Sequence, residues 1–188
     1  MVSIHTPFST CQKNQRTMAR CSAMTVSLNP ATAKHARTIA KLRSAANDHL
    51  TRSFGRGPWS SNVTERGVFF ALRTAHVFVG RDGRAIIGTL TLSTKKPWSI
   101  DPSYFTDCRR PLYLTAMAVH PSRQRDGLGR AMLEDVKRVA RALPADAVRL
   151  DAYDLPGGAG DFYARCGYRE IGRATYRKTP LIYYELLL

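Results

Sequence analysis

One segment restricts this chain more than any other: Arg123-Gln124-Arg125-Asp126-Gly127-Leu128-Gly129-Arg130, which lies between an apolar strand and a strongly periodic helix. Upstream, Leu112 to Val119 reads as a strand that His120-Pro121 stops. Downstream, Leu128, Met132, Val136, Val139 and Leu143 recur at helical spacing, which predicts an amphipathic helix over 128–142 that Pro144 ends. Two glycines one residue apart let the backbone turn so that successive N–H groups point inward. The helix then adds its unpaired amides and the positive end of its dipole. Such a loop suits a pyrophosphate, with Arg123, Arg125 and Arg130 placed for charge-assisted contacts. A Walker loop is excluded because no Gly-Lys-Ser/Thr follows, and the dinucleotide fingerprint lacks its third glycine and its downstream acid. Taken alone, the glycine pair also fits a bare connecting turn.

The rest of the chain narrows the partner. At 188 residues and 44% hydrophobic it has the size and apolar content of one domain. Its formal charge is +15. Residues 1–23 contain Lys13, Arg16 and Arg20 and no acid, and read as a disordered extension ahead of a domain over 24–188. Without those three cations the domain still carries +12. Either a nucleic acid or a small polyphosphate ligand answers to that charge. A basic nucleic-acid-binding protein is the weaker alternative, because the basic residues are dispersed and show no run with interleaved aromatics. Cys11, Cys21, Cys108 and Cys166 have no metal-ligand spacing, so no metal is expected and a reduced, cytoplasmic setting fits. No apolar run reaches the roughly 20 residues that cross a bilayer, so no membrane partner is expected.

Other elements follow from local signals. A short strand from Thr25 leads to Asn29-Pro30, read as a helix cap and first helical residue, with a helix from Ala31 to about His49. Asn62-Val63-Thr64-Glu65 has the form of a capping box for a short helix that ends before Arg73. His76–Val79 and Ala85–Ser93 read as a hairpin turning at Asp82-Gly83. Residues 94–111, with Pro97, Trp98, Pro102 and Pro111, suit an irregular loop. Strands over Val148–Tyr153, Tyr168–Tyr176 and Leu181–Leu187 and a short helix around Asp161–Cys166 complete the order.

Gln124 to Gly129 resembles the Q/R-x-x-G-x-G/A motif of the GNAT superfamily of acyl-CoA-dependent N-acyltransferases, and sits after a strand and at the start of a helix as that motif does. A second segment, Asp161 to Glu170, is similar to the family's FYxxxGF segment, with Tyr168 in the final aromatic place. The resemblance implies an α/β fold, a mostly antiparallel sheet of about seven strands with flanking helices and a bulged, splayed central pair. It implies acetyl-CoA as acyl donor and an amine acceptor, small molecule or peptide. Met117, Ala118 and Val119 would run along the pantetheine, one amide there serving the oxyanion. The amides of Gln124, Arg125, Asp126, Gly127, Leu128, Gly129 and Arg130 would take the pyrophosphate, and Tyr163 would be the general acid. The glutamate that some relatives use as base does not carry over, since Thr115 stands there, and Pro156 replaces a frequent asparagine.

By strand alternation Tyr113 and Thr115 share a face, as do Asp151 and Tyr153 on the neighbouring strand. Asp151 is the expected base, with a structural carboxylate as the competing reading. Trp59, Trp98 and Tyr104, in or beside loops, join Tyr113 and Thr115 as candidate acceptor contacts. An acyl-cysteine at Cys166 is not expected, because no His lies nearby in sequence. The apolar end Leu181–Leu188 offers a strand for homodimer pairing at a sheet edge. An amine is itself cationic, so either a locally acidic acceptor site or an acceptor bearing an anionic group is expected. A CoA-binding sensor without catalysis is the alternative that shares this fold.

Overall fold

The structure, a computed structural model, describes residues 26–188. The expected extension over 1–23 and the start of the first strand at Thr25 lie outside the described residues. The order is β1 (Leu28–Pro30), α1 (Ala36–Phe54), α2 (Glu65–Thr74), β2 (His76–Asp82), β3 (Ala85–Ser93), β4 (Pro111–Val119), α3 (Leu128–Ala142), β5 (Ala147–Tyr153), α4 (Gly160–Arg165), β6 (Arg169–Tyr176) and β7 (Thr179–Leu187). The strands form one seven-stranded sheet ordered β1-β2-β3-β4-β5-β7-β6, antiparallel at every pairing except β4–β5.

Each face of the sheet is covered. On one, Leu128, Met132, Leu133, Val136 and Val139 form the buried stripe of α3 and pack on Leu112, Leu114, Val148 and Leu150. On the other, α1 and α2 bury Ile39 and Val68 against Val77 and Val79. There the 94–110 loop seats Ile100 and Phe105 on Tyr113, Leu181 and Tyr183.

Several local expectations are corrected by tertiary pairing. Asn29 and Pro30 belong to β1, in register with Val79 and Phe78. Proline is tolerated there because β1 is an edge strand. The turn into α1 starts two residues later, where the Thr32 N–H donates to His35 Nδ1 at 3.0 Å. α1 runs past His49 to Phe54 and stops at Gly55, whose φ of +78° is the left-handed region glycine enters freely. In α2 the cap is Thr64, whose Oγ1 accepts from the Gly67 N–H at 3.1 Å, and Glu65 pairs with Arg37 of α1 instead of reaching back. The β2–β3 turn centres on Gly83-Arg84, closed by the Asp82–Ala85 pair. β7 lies between β5 and β6, so it has no free edge and the expected route to a homodimer through it is lost.

Candidate active site

The site begins at a defect in β4. Thr89 pairs with Ala118 but Thr91 pairs with Thr115, so β4 spends one more residue than β3 over the same span. This is a bulge at Ala116–Met117, and Ala116 takes a φ of +49°. The parallel ladder between β4 and β5 covers only Pro111–Ala147, Leu112–Val148 and Tyr113–Arg149. Beyond Tyr113 the two strands separate, and the edge of residues 114–119 that faces β5 has no strand partner among the described residues.

A cavity of about 410 Å³ occupies the opening. Leu114, Thr115, Ala116 and Met117 of β4 line one side, and Asp151, Ala152 and Tyr153 of β5 the other. Asn47 and Leu50 of α1, Trp59, Ser99 and Tyr163 close it. Asp151 is the one charged side chain in that lining, so the cavity is locally acidic inside a strongly basic domain. Burial raises its pKa, partly offset by a hydrogen bond from Ser99 Oγ to Oδ1 at 3.2 Å. Ser99 is itself fixed: its carbonyl accepts from the Tyr183 hydroxyl at 2.6 Å, and Lys96 Nζ donates to the Ile100 carbonyl at 2.7 Å.

Tyr163 enters from α4. It is 9% exposed, and its hydroxyl donates to Met117 Sδ at 3.9 Å, which sets the phenol against the bulge. Burial, then the charges of Asp151 and Cys166, push its pKa well above the usual phenol range. Cys166, half-buried, also has a raised pKa, mainly from desolvation, so it is held as a thiol and is poorly suited to nucleophilic work.

The glycine loop lies at the other end of the opening. Gly127 caps α3 with a φ of +81°, and Arg125 before it also has a positive φ of +68°. Gly129 is favoured for a different reason: a Cβ there would sit 3.0 Å from the Phe162 ring of α4, which would have to give way. The loop therefore uses one glycine for its turn and one for close packing. Arg125 and Arg130 are exposed and make no ion pair among the described residues, whereas Arg123 is held by Asp82 at 2.7 Å and Asp126 at 3.1 Å. Asp126 thus braces the loop through Arg123. Gln124 Nε2 donates to the Val119 carbonyl at 3.2 Å, tying the loop back to β4. A turn with a free helix N-terminus, two uncommitted guanidinium groups and an unpaired strand edge leading to a cavity fit a long anionic thioester.

A family model described as an acetyltransferase (GNAT) domain matches residues 73–170, just over half of the chain. The chain belongs to the GNAT acetyltransferase family. It is an acyltransferase, and the chemistry of a GNAT domain is acetyl transfer dependent on acetyl-CoA. No curated protein matches it significantly. Among solved structures, a GNAT-family acetyltransferase from Streptococcus agalactiae is similar at 13% identity and a TM-score of 0.69, over 87% of this chain and 95% of that one. A ribosomal-protein-alanine N-acetyltransferase from Brucella melitensis is similar at 14% identity and a TM-score of 0.65, over 86% and 99%. The protein yncA from Salmonella typhimurium, solved with acetyl-CoA, is similar at 17% identity and a TM-score of 0.62, over 87% and 94%. At these identities the likeness is one of fold.

Not every candidate contact reaches the cavity of this GNAT domain. Trp59 does: it is buried, and its ring meets Tyr153 edge-on with centroids 6.0 Å apart. Thr115 lines the cavity as well. Tyr113 does not, because it is 4% exposed within the cluster under the 94–110 loop. Trp98 is 85% exposed and, with Tyr104, lines a separate surface groove across the 96–101 segment. Asn47 and Ser99 were not anticipated; a polar residue on a helix and a serine in a proline-rich loop carry no periodic signal. Among the described residues, no group of His, Cys, Asp and Glu could hold a metal, and no helix is long and apolar enough to cross a membrane.

Proposed function

We propose that this enzyme transfers the acetyl group of acetyl-CoA to a primary amine of a small molecule or a peptide, by direct attack in a ternary complex. The observation that carries the reading is the pairing of functions across one opening. A half-buried carboxylate on β5 and a buried phenol on α4 line the same cavity, at the end of an unpaired strand edge that starts from the glycine loop.

The roles follow from charge. An amine arrives protonated and cannot attack until it loses a proton. Asp151 is the base: its negative charge draws the ammonium into the cavity, and its raised pKa makes it a better proton acceptor than an ordinary carboxylate. The freed nitrogen bonds to the acetyl carbon and the carbon–sulfur bond breaks. The electron pair left on sulfur takes the proton of Tyr163, which burial keeps on the phenol until such a base appears beside it. Met117, Ala118 and Val119 are assigned to the pantetheine, the loop 124–130 to the pyrophosphate, and Trp59 and Thr115 to the acceptor. The Brucella melitensis protein named above is a ribosomal-protein-alanine N-acetyltransferase, which keeps peptide amines among the acceptors to try.

Thiol release from acetyl-CoA across a panel of amines, polyamines, aminoglycosides and peptides tests the reading. Tyr163→Phe should lower kcat about 10²-fold with KM for acetyl-CoA little changed. An unaltered kcat removes Tyr163 as the acid.

A further inference from the structure

The roles above leave one buried charge with neither a use nor a counter-ion among the described residues. Arg43 of α1 is 8% exposed, and its Nη2 donates to Thr91 Oγ1 at 3.0 Å and to Thr89 Oγ1 at 3.5 Å. Its Nε has no hydrogen-bond partner, and it forms no ion pair with any carboxylate among the described residues. Burying a cation without a counter-ion is costly, and hydroxyls that merely needed a donor would be served by an amide. Desolvation lowers the pKa of Arg43 to about 10, which still leaves it charged at neutral pH.

Its place in the fold gives that charge an object. Asn47 and Leu50, four and seven residues along, share its side of α1 and line the cavity. Thr91, its nearer partner, is paired with Thr115, which also lines the cavity. Thr89 and Thr91 are the two β3 residues between which the register slips, so the guanidinium bridges the rungs that flank the bulge at Ala116–Met117. We propose that Arg43 is a positioning residue for acyl transfer, its uncompensated charge lying behind Thr115 to favour the negative charge that develops on the thioester oxygen at the bulge. This rests on the cavity being the transfer site. As the amine nitrogen bonds to the acetyl carbon, the carbonyl π pair moves onto oxygen. When the carbonyl re-forms, the carbon–sulfur pair leaves with sulfur and takes the Tyr163 proton. Arg43 gives up no proton and forms no bond; it acts only on the charge of that interval.

The test compares Arg43→Lys, Arg43→Gln and Arg43→Met with the wild type, measuring thiol release from acetyl-CoA with hydroxylamine, glycinamide and spermidine as amines. Lys keeps the charge, Gln keeps donors for the hydroxyls without it, and Met keeps neither. The expected result is a kcat about ten-fold lower for Gln and Met, KM for acetyl-CoA within about two-fold of wild type, an undiminished Tm, and substantial recovery in Lys. If Met does not fold, Gln carries the comparison. Wild-type kcat in the Gln variant overturns the proposal, as does a loss shared by Lys and Gln that follows a lowered Tm and a raised KM. Absence of thiol release by the wild type with every amine overturns the transfer reading, and the role of Arg43 with it.

Discussion

Arg43 and Arg149 are both buried cations, at 8% and 5% exposure, the first on α1 over the threonines of β3 and the second on β5 under the 94–110 loop. Arg149 has an acid to answer its charge. Its Nε donates to Glu185 Oε1 at 3.1 Å, its Nη2 reaches the Thr106 carbonyl and Cys108 Sγ, and its guanidinium lies over Phe105, 4.9 Å from the ring centre. Glu185 in turn accepts from Thr106 Oγ1 at 2.6 Å. Arg169 Nη2 also lies 3.6 Å from Glu185, and the clamp ties the 94–110 loop to β5 and β7, and so supports the segment that holds Ser99 on Asp151. Arg43 has two hydroxyls and, among the described residues, no acid. One cation is spent on holding a loop, and the other is left with its charge, beside the cavity where acetyl transfer is proposed. Burial alone therefore does not tell a structural ion from a functional one; the completeness of its partners does.

That contrast is open to experiment, beginning with the largest effect on stability. Arg149→Met should cost about 3 kcal/mol in denaturant unfolding, because it leaves the Glu185 carboxylate, which is 2% exposed, with only the longer 3.6 Å contact to the exposed Arg169 as its cation. Adding Glu185→Leu to Arg149→Met should recover much of that loss, since the orphaned ion is then gone; a double variant as unstable as the single would show that the clamp works through shape and not charge. Arg43→Met should fall within about 1 kcal/mol of wild type, the lost hydroxyl contacts being offset by removal of a buried charge. A loss as large as that of Arg149 would erase the distinction.

Asp151 supplies a smaller and pH-dependent effect. Its folded pKa is raised, so the folded state holds the proton more tightly than the unfolded chain. Stability from this group is complete below the unfolded carboxylate pKa and is lost as pH rises through the folded value. Asp151→Asn should therefore have a higher Tm than wild type at pH 7, with the gap closing in acid. A gap independent of pH would mean that the carboxylate is not desolvated. The smallest effect belongs to the surface: breaking Arg37–Glu65, whose side chains are 76% and 40% exposed, should change stability by less than about 1 kcal/mol.

Much of the framework was legible in the sequence, for identifiable reasons. α3 has the bounds that its apolar period and Pro144 predict, because a long stripe leaves a helix little freedom to shift. The bulge and splay were expected through the family resemblance, and the register of β3 on β4 shows where they fall. Asn29-Pro30 misled because a cap and an edge-strand proline look alike until the strand pairing is known. Trp98 is a candidate as a loop aromatic beside Trp59, and Tyr113 as the strand-face neighbour of Thr115, but the loop folds so that the first faces solvent and the second is sealed beneath it. Arg43 was missed because arginine is common on helices. The available sign was its place on the buried stripe of α1 with Ala36, Ile39, Ala40 and Ala46, where a charge is out of pattern.

The central claim is that Asp151 and Tyr163 serve one reaction in the cavity between the splayed strands. It is tested most directly by the pH dependence of kcat/KM for thiol release with an accepted amine, in wild type and Asp151→Asn. The wild type should lose activity in acid along a limb displaced above the ordinary carboxylate range, and the Asn variant should lack that limb and retain about 1% of the rate or less. An Asn variant with wild-type rate and an unchanged acid limb would contradict the account.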